Sequence, residues 1–403
     1  MDSTTSHPES AVQRAPDPRS PDRPPVVGMI GAGQLARMTT AAATELGIHL
    51  RVLAAAADES AAQVTADTII GDFRCLEDLM SFAAGCDVVT FDHEHVPGPL
   101  IEALEAAGHS VRPGSQALGF TQDKRAMRER LNSLGYRCPR FAAVASMDEI
   151  VLFAGQVGWP LVLKSVSGGY DGRGVWVCAG PDEAADVLSH GLPLIAEQFV
   201  RFDRELAILV GRSPTGQGAA YPVVQTIQQD GICREVLAPA PGLPAGKAAE
   251  AQRLGLAVAA SLGVTGLLAV ELFDTPDGLL VNELAMRPHN SGHWTIEGAI
   301  TSQFEQHLRA VLDLPLGSPA LAARCAVMVN VLGGDDPDLR SKLIHVMAGD
   351  PAVKVHLYGK PVRPGRKVGH VTAFGRDFSQ VRDRARRAAS YLATGSEDAG
   401  DYR

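Results

Sequence analysis

The clearest chemistry lies between Leu161 and Gly174. Leu161-Val162-Leu163-Lys164 is a short apolar run ending in a lysine, and Ser167-Gly168-Gly169-Tyr170-Asp171-Gly172-Arg173-Gly174 follows it. Four glycines this close let a backbone fold over phosphates with its N–H groups turned inward. Lys164 adds a point charge at the loop base. A plain hairpin needs one or two glycines, so a phosphate-covering loop is the better reading. Glu271 and Glu283 stand on two apolar runs separated by Asp274-Thr275-Pro276-Asp277-Gly278, which reads as a hairpin turn. Paired face to face, two carboxylates repel unless a cation sits between them. With the Asn282 amide beside them, they are a candidate divalent-metal site rather than two solvated acids.

Other stretches are less specific. Arg287-Pro288-His289-Asn290-Ser291-Gly292-His293-Trp294 sets a guanidinium, two imidazoles and an amide directly after the second glutamate. That density fits a reaction site and a structural cluster equally. Lys360-Pro361-Val362-Arg363-Pro364-Gly365-Arg366-Lys367 is a stiff cationic loop; alone it reads as a solvated basic run. Gly31-Ala32-Gly33-Gln34-Leu35-Ala36 fits G-x-G-x-x-G/A between a strand and a helix. A dinucleotide site also expects an acid about 20 residues on, and none stands before Asp58. The turn is therefore read as a tight strand–helix connection that can still face a substrate phosphate. Glu197-Gln198-Phe199-Val200 ends a strand that would suit an adenine edge, with Glu205 available to ribose hydroxyls.

These residues need a scaffold. The chain has 403 residues, 45 % hydrophobic and 21 % charged, with a net charge of -9. That supports two to four domains, and the acidic balance argues against nucleic acid as the main ligand. The six cysteines form no C-x-x-C pair and read as reduced thiols of a cytoplasmic protein. No run is long enough to span a membrane. Residues 1–25 lack the apolar centre of a secretory signal and read as a disordered tail. Strands alternate with helices over 26–120, which predicts a parallel α/β domain. A charged helix over 122–134 opens a second unit that runs to 315. Within it, 138–200 forms a small α+β lid. After a linker at 315–319, residues 316–403 form a small C-terminal domain.

Taken together the motifs resemble the ATP-grasp superfamily, and within it the N5-carboxyaminoimidazole ribonucleotide synthase family. The resemblance runs in order from Gly31 to His370. It rests on Gly31-x-Gly33-Gln34-Leu35-x-x-Met38, on Thr90-Phe91-Asp92-His93-Glu94-His95-Val96 and on the glycine loop. Val281-Asn282-Glu283-Leu284-Ala285-x-Arg287 to Trp294 and Arg363 to His370 complete it. It implies an ATP-grasp fold with a Rossmann-like pre-ATP-grasp α/β domain and a small C-terminal domain. It further implies an ATP- and Mg²⁺-dependent C–N ligase that carboxylates 5-aminoimidazole ribonucleotide with bicarbonate, as a cytoplasmic homodimer.

By position, Lys124, Lys164 and Gly169 to Gly174 would meet the ATP phosphates. Glu197, Gln198, Phe199 and Val200 would form the adenine edge, Glu205 would take the ribose, and Gln228 would be a further nucleotide contact. Glu271 and Glu283 would hold Mg²⁺, with Asn282 close by. Tyr170, Asp171, Lys164, Arg287 and His289 would do the catalytic work around bicarbonate and the amine. Gly33, Gln34, Leu35, Asn290, Lys360, Arg366 and Lys367 would bind the ribonucleotide. The sequence departs from the family at Lys124, where arginine is frequent, and at Gln228, where histidine is. His93 and His95 replace an aromatic residue and an asparagine. The rivals are another ATP-grasp carboxylate–amine ligase and a non-catalytic nucleotide-binding regulator. The second predicts a lost lysine, metal acid or loop glycine, and none is lost. An NAD oxidoreductase ranks last.

Overall fold

The computed structural model describes residues 23–169 and 172–396. The expectations placed on the N-terminal tail through residue 22, on Tyr170 and Asp171, and on residues 397–403 lie outside them. Arg23 already pairs with Asp87, and the Pro25 carbonyl accepts the His49 N–H, so the chain is engaged just ahead of the first strand.

The first unit comprises β1 (Val26–Ile30), α1 (Gln34–Glu45), β2 (His49–Ala54), β3 (Asp67–Ile70), α2 (Leu76–Ala83), β4 (Val88–Phe91), α3 (Gly98–Ala106) and α4 (Ser115–Gln122). Its sheet is parallel in the order β3-β2-β1-β4. β1 and β4 are covered on both faces, which is why they read as unbroken apolar runs.

The helix predicted over 122–134 begins at Lys124, and Gln122 instead ends the preceding helix, α4. Asp123 stops α4 and caps α5 (Lys124–Ser133), its carboxylate accepting the Ala126 N–H. The lid follows: β5 (Phe141–Val144), α6 (Met147–Val157), β6 (Leu161–Ser165), β7 (Val175–Cys178), α7 (Pro181–Ser189) and β8 (Leu194–Gln198). Its antiparallel order is β5-β8-β6-β7. Leu161, Leu163, Leu194 and Ala196 pack on α6 and α7. The other face carries Val162, Lys164, Val175, Val177 and Glu197, which share register positions.

The core contains β9 (Arg204–Arg212), β10 (Gly218–Ala220), β11 (Val224–Gln229), β12 (Ile232–Ala238), α8 (Ala245–Ser261), β13 (Gly266–Thr275), β14 (Gly278–Ala285), α9 (Thr295–Gly298) and α10 (Gln303–Val311). The C-terminal part adds β15 (Cys325–Leu332), α11 (Leu339–Gly349), β16 (Lys354–Leu357), β17 (Lys367–Gly375) and α12 (Phe378–Thr394). The strands of both parts form one sheet, β14-β13-β9-β11-β12-β15-β17-β16, with β10 on β9. The seam is the antiparallel pairing of β12 with β15. Buried Glu235 of β12 is clamped there by Arg382 and Arg386 of α12. Among the described residues no helix is long and apolar enough to cross a membrane.

Candidate active site

The glycine loop joins β6 to β7, and its backbone explains its composition. Gly168, Gly169, Gly172 and Gly174 all have positive φ, between 72° and 84°, a region that side chains rarely tolerate. A Cβ on Gly174 would lie 2.4 Å from the Ser165 hydroxyl. Below the loop, Lys164 Nζ sits 2.8 Å from Glu197 and 3.2 Å from Asn282 Oδ1. Lys124, in the first turn of α5, donates to the Gly168 carbonyl at 3.2 Å and stands 3.9 Å from Glu283. Both lysines, the loop, Asn282 and Glu283 therefore meet at one place. Arg173 lies on the same loop. Glu197 is buried, and its carboxylate is saturated by Arg128 at 2.7 Å and by Lys164. Burial pushes its pKa up, but those two cations overcome it and hold it at about 2. Glu197 thus anchors the phosphate-facing lysine, while Gln198, Phe199 and Val200 lead out of the lid as the strand edge. Phe202 stacks on Phe273 at 4.8 Å, beside Glu205 in register.

β13 and β14 place Glu271 directly opposite Glu283, with a bulge after Glu271, and the hairpin closes tightly at Thr275 and Gly278. Burial, then the negative charges of Glu283 and Glu205, raises Glu271 to about 8. Burial alone raises Glu205 to about 7. Burial and the neighbouring acids thus disfavour the charged form of Glu271, and a divalent cation between Glu271 and Glu283 would restore it. Among the described residues no larger His/Cys/Asp/Glu group surrounds them, so such a cation would complete its shell with phosphates and water. Gln228 lies on β11 at a second bulge, two residues past Thr226, which pairs with Glu205.

His289 Nε2 is 3.7 Å from Glu271. Its Nδ1 accepts the Ser291 N–H, which leaves the neutral ring's proton on Nε2, facing Glu271. Burial, helped by the charges of Arg287 and Lys367, holds its pKa down at about 3. Arg287 faces Glu94 at 3.5 Å, and Glu94 also accepts the Met286 N–H at 2.7 Å. Asn290 exchanges amide hydrogen bonds with Asn330 on β15 at 2.8 and 3.0 Å. His293 and Trp294 are fully buried, so this motif divides into a site half and a packing half.

The basic loop joins β16 to β17 and reaches the first domain. Lys360 bonds the Gln34 side chain, and Gly359 accepts from Gln63 at 2.8 Å. Arg366 donates to the Pro361 carbonyl within the loop, and the Lys367 charge reaches Glu271 and His289. At the Gly31–Gly33 turn, Asp92 accepts from Gly33 and Ala36 at 2.7 and 2.8 Å. A carboxylate of the chain itself therefore occupies the helix N-terminus expected to face a phosphate. Leu35 is a core side chain, leaving Gln34 to face the loop. His93 packs edge-on to Phe73 at 4.7 Å, stacks on His95 and lines a hollow of about 180 Å³ with Gly31 to Gly33.

Sequence reasoning missed Arg128, Asp92, Glu94 and Asn330 as site supports. Arg128 had a signal: it falls on the buried face of α5 with Met127 and Leu131. The other three depend on contacts between residues far apart in the chain.

The fold and this cleft define an ATP-grasp enzyme. Family models match in order: a ribonucleotide synthetase preATP-grasp domain over 25–122, an ATP-grasp domain over 129–304 and a phosphoribosylaminoimidazole carboxylase C-terminal domain over 326–384. The chain is 55 % identical over 379 residues to N5-carboxyaminoimidazole ribonucleotide synthase of Mycobacterium tuberculosis, covering 92 % of this chain and 88 % of that one. With the Corynebacterium ammoniagenes enzyme of that name it shares 48 % over 380 residues, covering 91 % and 92 %. The Aspergillus clavatus enzyme, solved in complex with ADP and 5-aminoimidazole ribonucleotide, superposes with a TM-score of 0.85 at 32 % identity, covering 92 % and 99 %. The chain belongs to the N5-carboxyaminoimidazole ribonucleotide synthase family.

Proposed function

We infer that this chain uses ATP to carboxylate 5-aminoimidazole ribonucleotide with bicarbonate, giving N5-carboxyaminoimidazole ribonucleotide, ADP and phosphate in purine biosynthesis. The observation that carries this reading is the convergence of Lys124, Lys164, Asn282, Glu283 and the glycine loop beside Glu271 and His289. Nucleotide phosphates then lie under the loop, against both lysines. Gln198 to Val200 border the adenine, Phe202 and Phe273 offer a flat apolar surface, and Glu205 serves the ribose. Glu271 and Glu283 would hold Mg²⁺, which when bound offsets phosphate charge.

A bicarbonate oxygen attacks the γ-phosphorus and ADP leaves. The resulting carboxyphosphate breaks down to CO₂ and phosphate, and the substrate amine attacks CO₂ and loses a proton. Lys164, Arg287 and loop N–H groups stabilise the charge that develops, and the lid keeps water from the labile intermediate. His289 presents an N–H in its resting tautomer, so it suits donation to an anionic oxygen. Asp171, which lies outside the described residues, is proposed as the acceptor of the amine proton on the family resemblance. Lys360, Arg366 and Lys367 take the ribonucleotide phosphate, with Gln34 beside them. A cytoplasmic homodimer belongs to the same reading.

The test is phosphate release from ATP with Mg²⁺ and bicarbonate, with and without the ribonucleotide. Ribonucleotide-dependent release is expected, and Glu283→Gln should lower kcat at least ~100-fold in a folded protein. Release indifferent to the ribonucleotide would point to another acceptor. Full turnover in Glu283→Gln would remove the metal assignment.

A further inference from the structure

The basic loop hangs from a neck that the reaction chemistry does not use. Tyr358 stands at its start and His370 just beyond its end, on β17. The Tyr358 hydroxyl and His370 Nδ1 are 2.8 Å apart, and both side chains are buried. His370 stacks on His356, at 4.5 Å and 16°, and its ring centre lies 5.0 Å from that of His293, tilted by 32°. His356 is fixed by Glu297 at 2.7 Å, and His293 Nδ1 lies 3.0 Å from the Gln303 amide nitrogen. The neck therefore ties the C-terminal strands to α9 and α10. The Tyr358 carbonyl accepts from Ser60 of the first domain. Lys360 lies 5.9 Å from the Tyr358 ring centre while it reaches Gln34. A displacement of Tyr358 would move Lys360 directly. Burial and the neighbouring imidazoles His356 and His293 hold His370 neutral, which suits a fixed hydrogen bond rather than a titrating one.

We propose that Tyr358 and His370 are positioning residues that set the basic loop against the phosphate of the ribonucleotide. The proposal rests on the reading of that loop as the phosphate site. Preorganisation of this kind shows in affinity for the group held rather than in the chemical step.

The experiment compares Tyr358→Phe, His370→Leu, His370→Asn and Arg366→Met with the parent enzyme. It uses the ribonucleotide and its dephosphorylated riboside as alternative acceptors. Tyr358→Phe should raise KM for the ribonucleotide roughly tenfold, the scale of one buried hydrogen bond. It should leave kcat and KM for ATP within about twofold, and turnover of the riboside unchanged. His370→Leu should behave alike, and His370→Asn, which keeps an acceptor near Nδ1, should recover part of the loss. A purely structural role would lower the melting temperature without splitting the two acceptors. An unchanged ribonucleotide KM in folded Tyr358→Phe, with a raised one in Arg366→Met, would overturn the neck alone. An unchanged KM in Arg366→Met would overturn the loop assignment and the proposal with it. If Tyr358→Phe does not fold, the comparison of His370→Asn with the parent carries the test with the same two outcomes.

Discussion

Glu197 shows how a residue's partners decide its role. In sequence it is an acid at the end of an apolar strand. In the structure it is a buried anion between Arg128 and Lys164, and it aims the lysine at the phosphate loop. Its pKa of about 2 lies below the ordinary carboxylate value, so the pair contributes stability above about pH 4.5 that is lost as pH falls toward 2. Arg128→Met should leave the buried carboxylate with Lys164 alone and destabilise the fold by about 3–5 kcal/mol. The acid-side loss of stability should shrink as well. Urea melts at pH 7 and pH 4 measure both effects. A variant as stable as the parent at pH 7 would show that Arg128 is dispensable. Gly33 makes the complementary point: its missing side chain lets the Asp92 carboxylate approach the helix N-terminus, where a Cβ would lie 2.3 Å from the oxygen.

At the scale of elements, two hairpins position the chemistry. The β6–β7 connection was legible because four glycines exceed what a simple turn requires, and all four take positive φ. Gly174→Ala should strain the loop against Ser165 and weaken ADP binding about tenfold, a cost of roughly 1–3 kcal/mol. The melting temperature should change little, because the loop carries few core contacts. Calorimetric titration with ADP checks this, and parental affinity would show that the loop tolerates the change. The β13–β14 hairpin was legible because turn residues between two apolar runs fix its register, but that register alone would set Glu271 opposite Asn282, and the bulge after Glu271 is what brings it opposite Glu283. The helix break at Asp123 was less legible, since a charged amphipathic run conceals a cap until its hydrogen bond to Ala126 is seen.

At the scale of the whole molecule, the expected separate C-terminal domain shares its sheet with the ATP-grasp core. A chain ending at 319 would expose β12 as a raw edge and lose the apolar layer of β15, β17 and α12. It should be poorly soluble and aggregate on size-exclusion chromatography. A monomeric fragment with a sharp melt would show that the seam is not structural. The shared sheet also explains why the basic loop, far along the chain, reaches Gln34, Glu271 and His289. Local patterns determined the phosphate loop, the β13–β14 hairpin, the parallel first sheet and the resemblance, because turns, strand alternation and short motifs are encoded over a few neighbouring residues. The burial of Arg128 on Glu197, the filling of the first helix N-terminus by Asp92, the approach of His289 to Glu271 and the neck beneath the basic loop were decided only by tertiary structure. Each joins side chains that the folded sheet brings together from distant segments, and no local pattern records such a meeting.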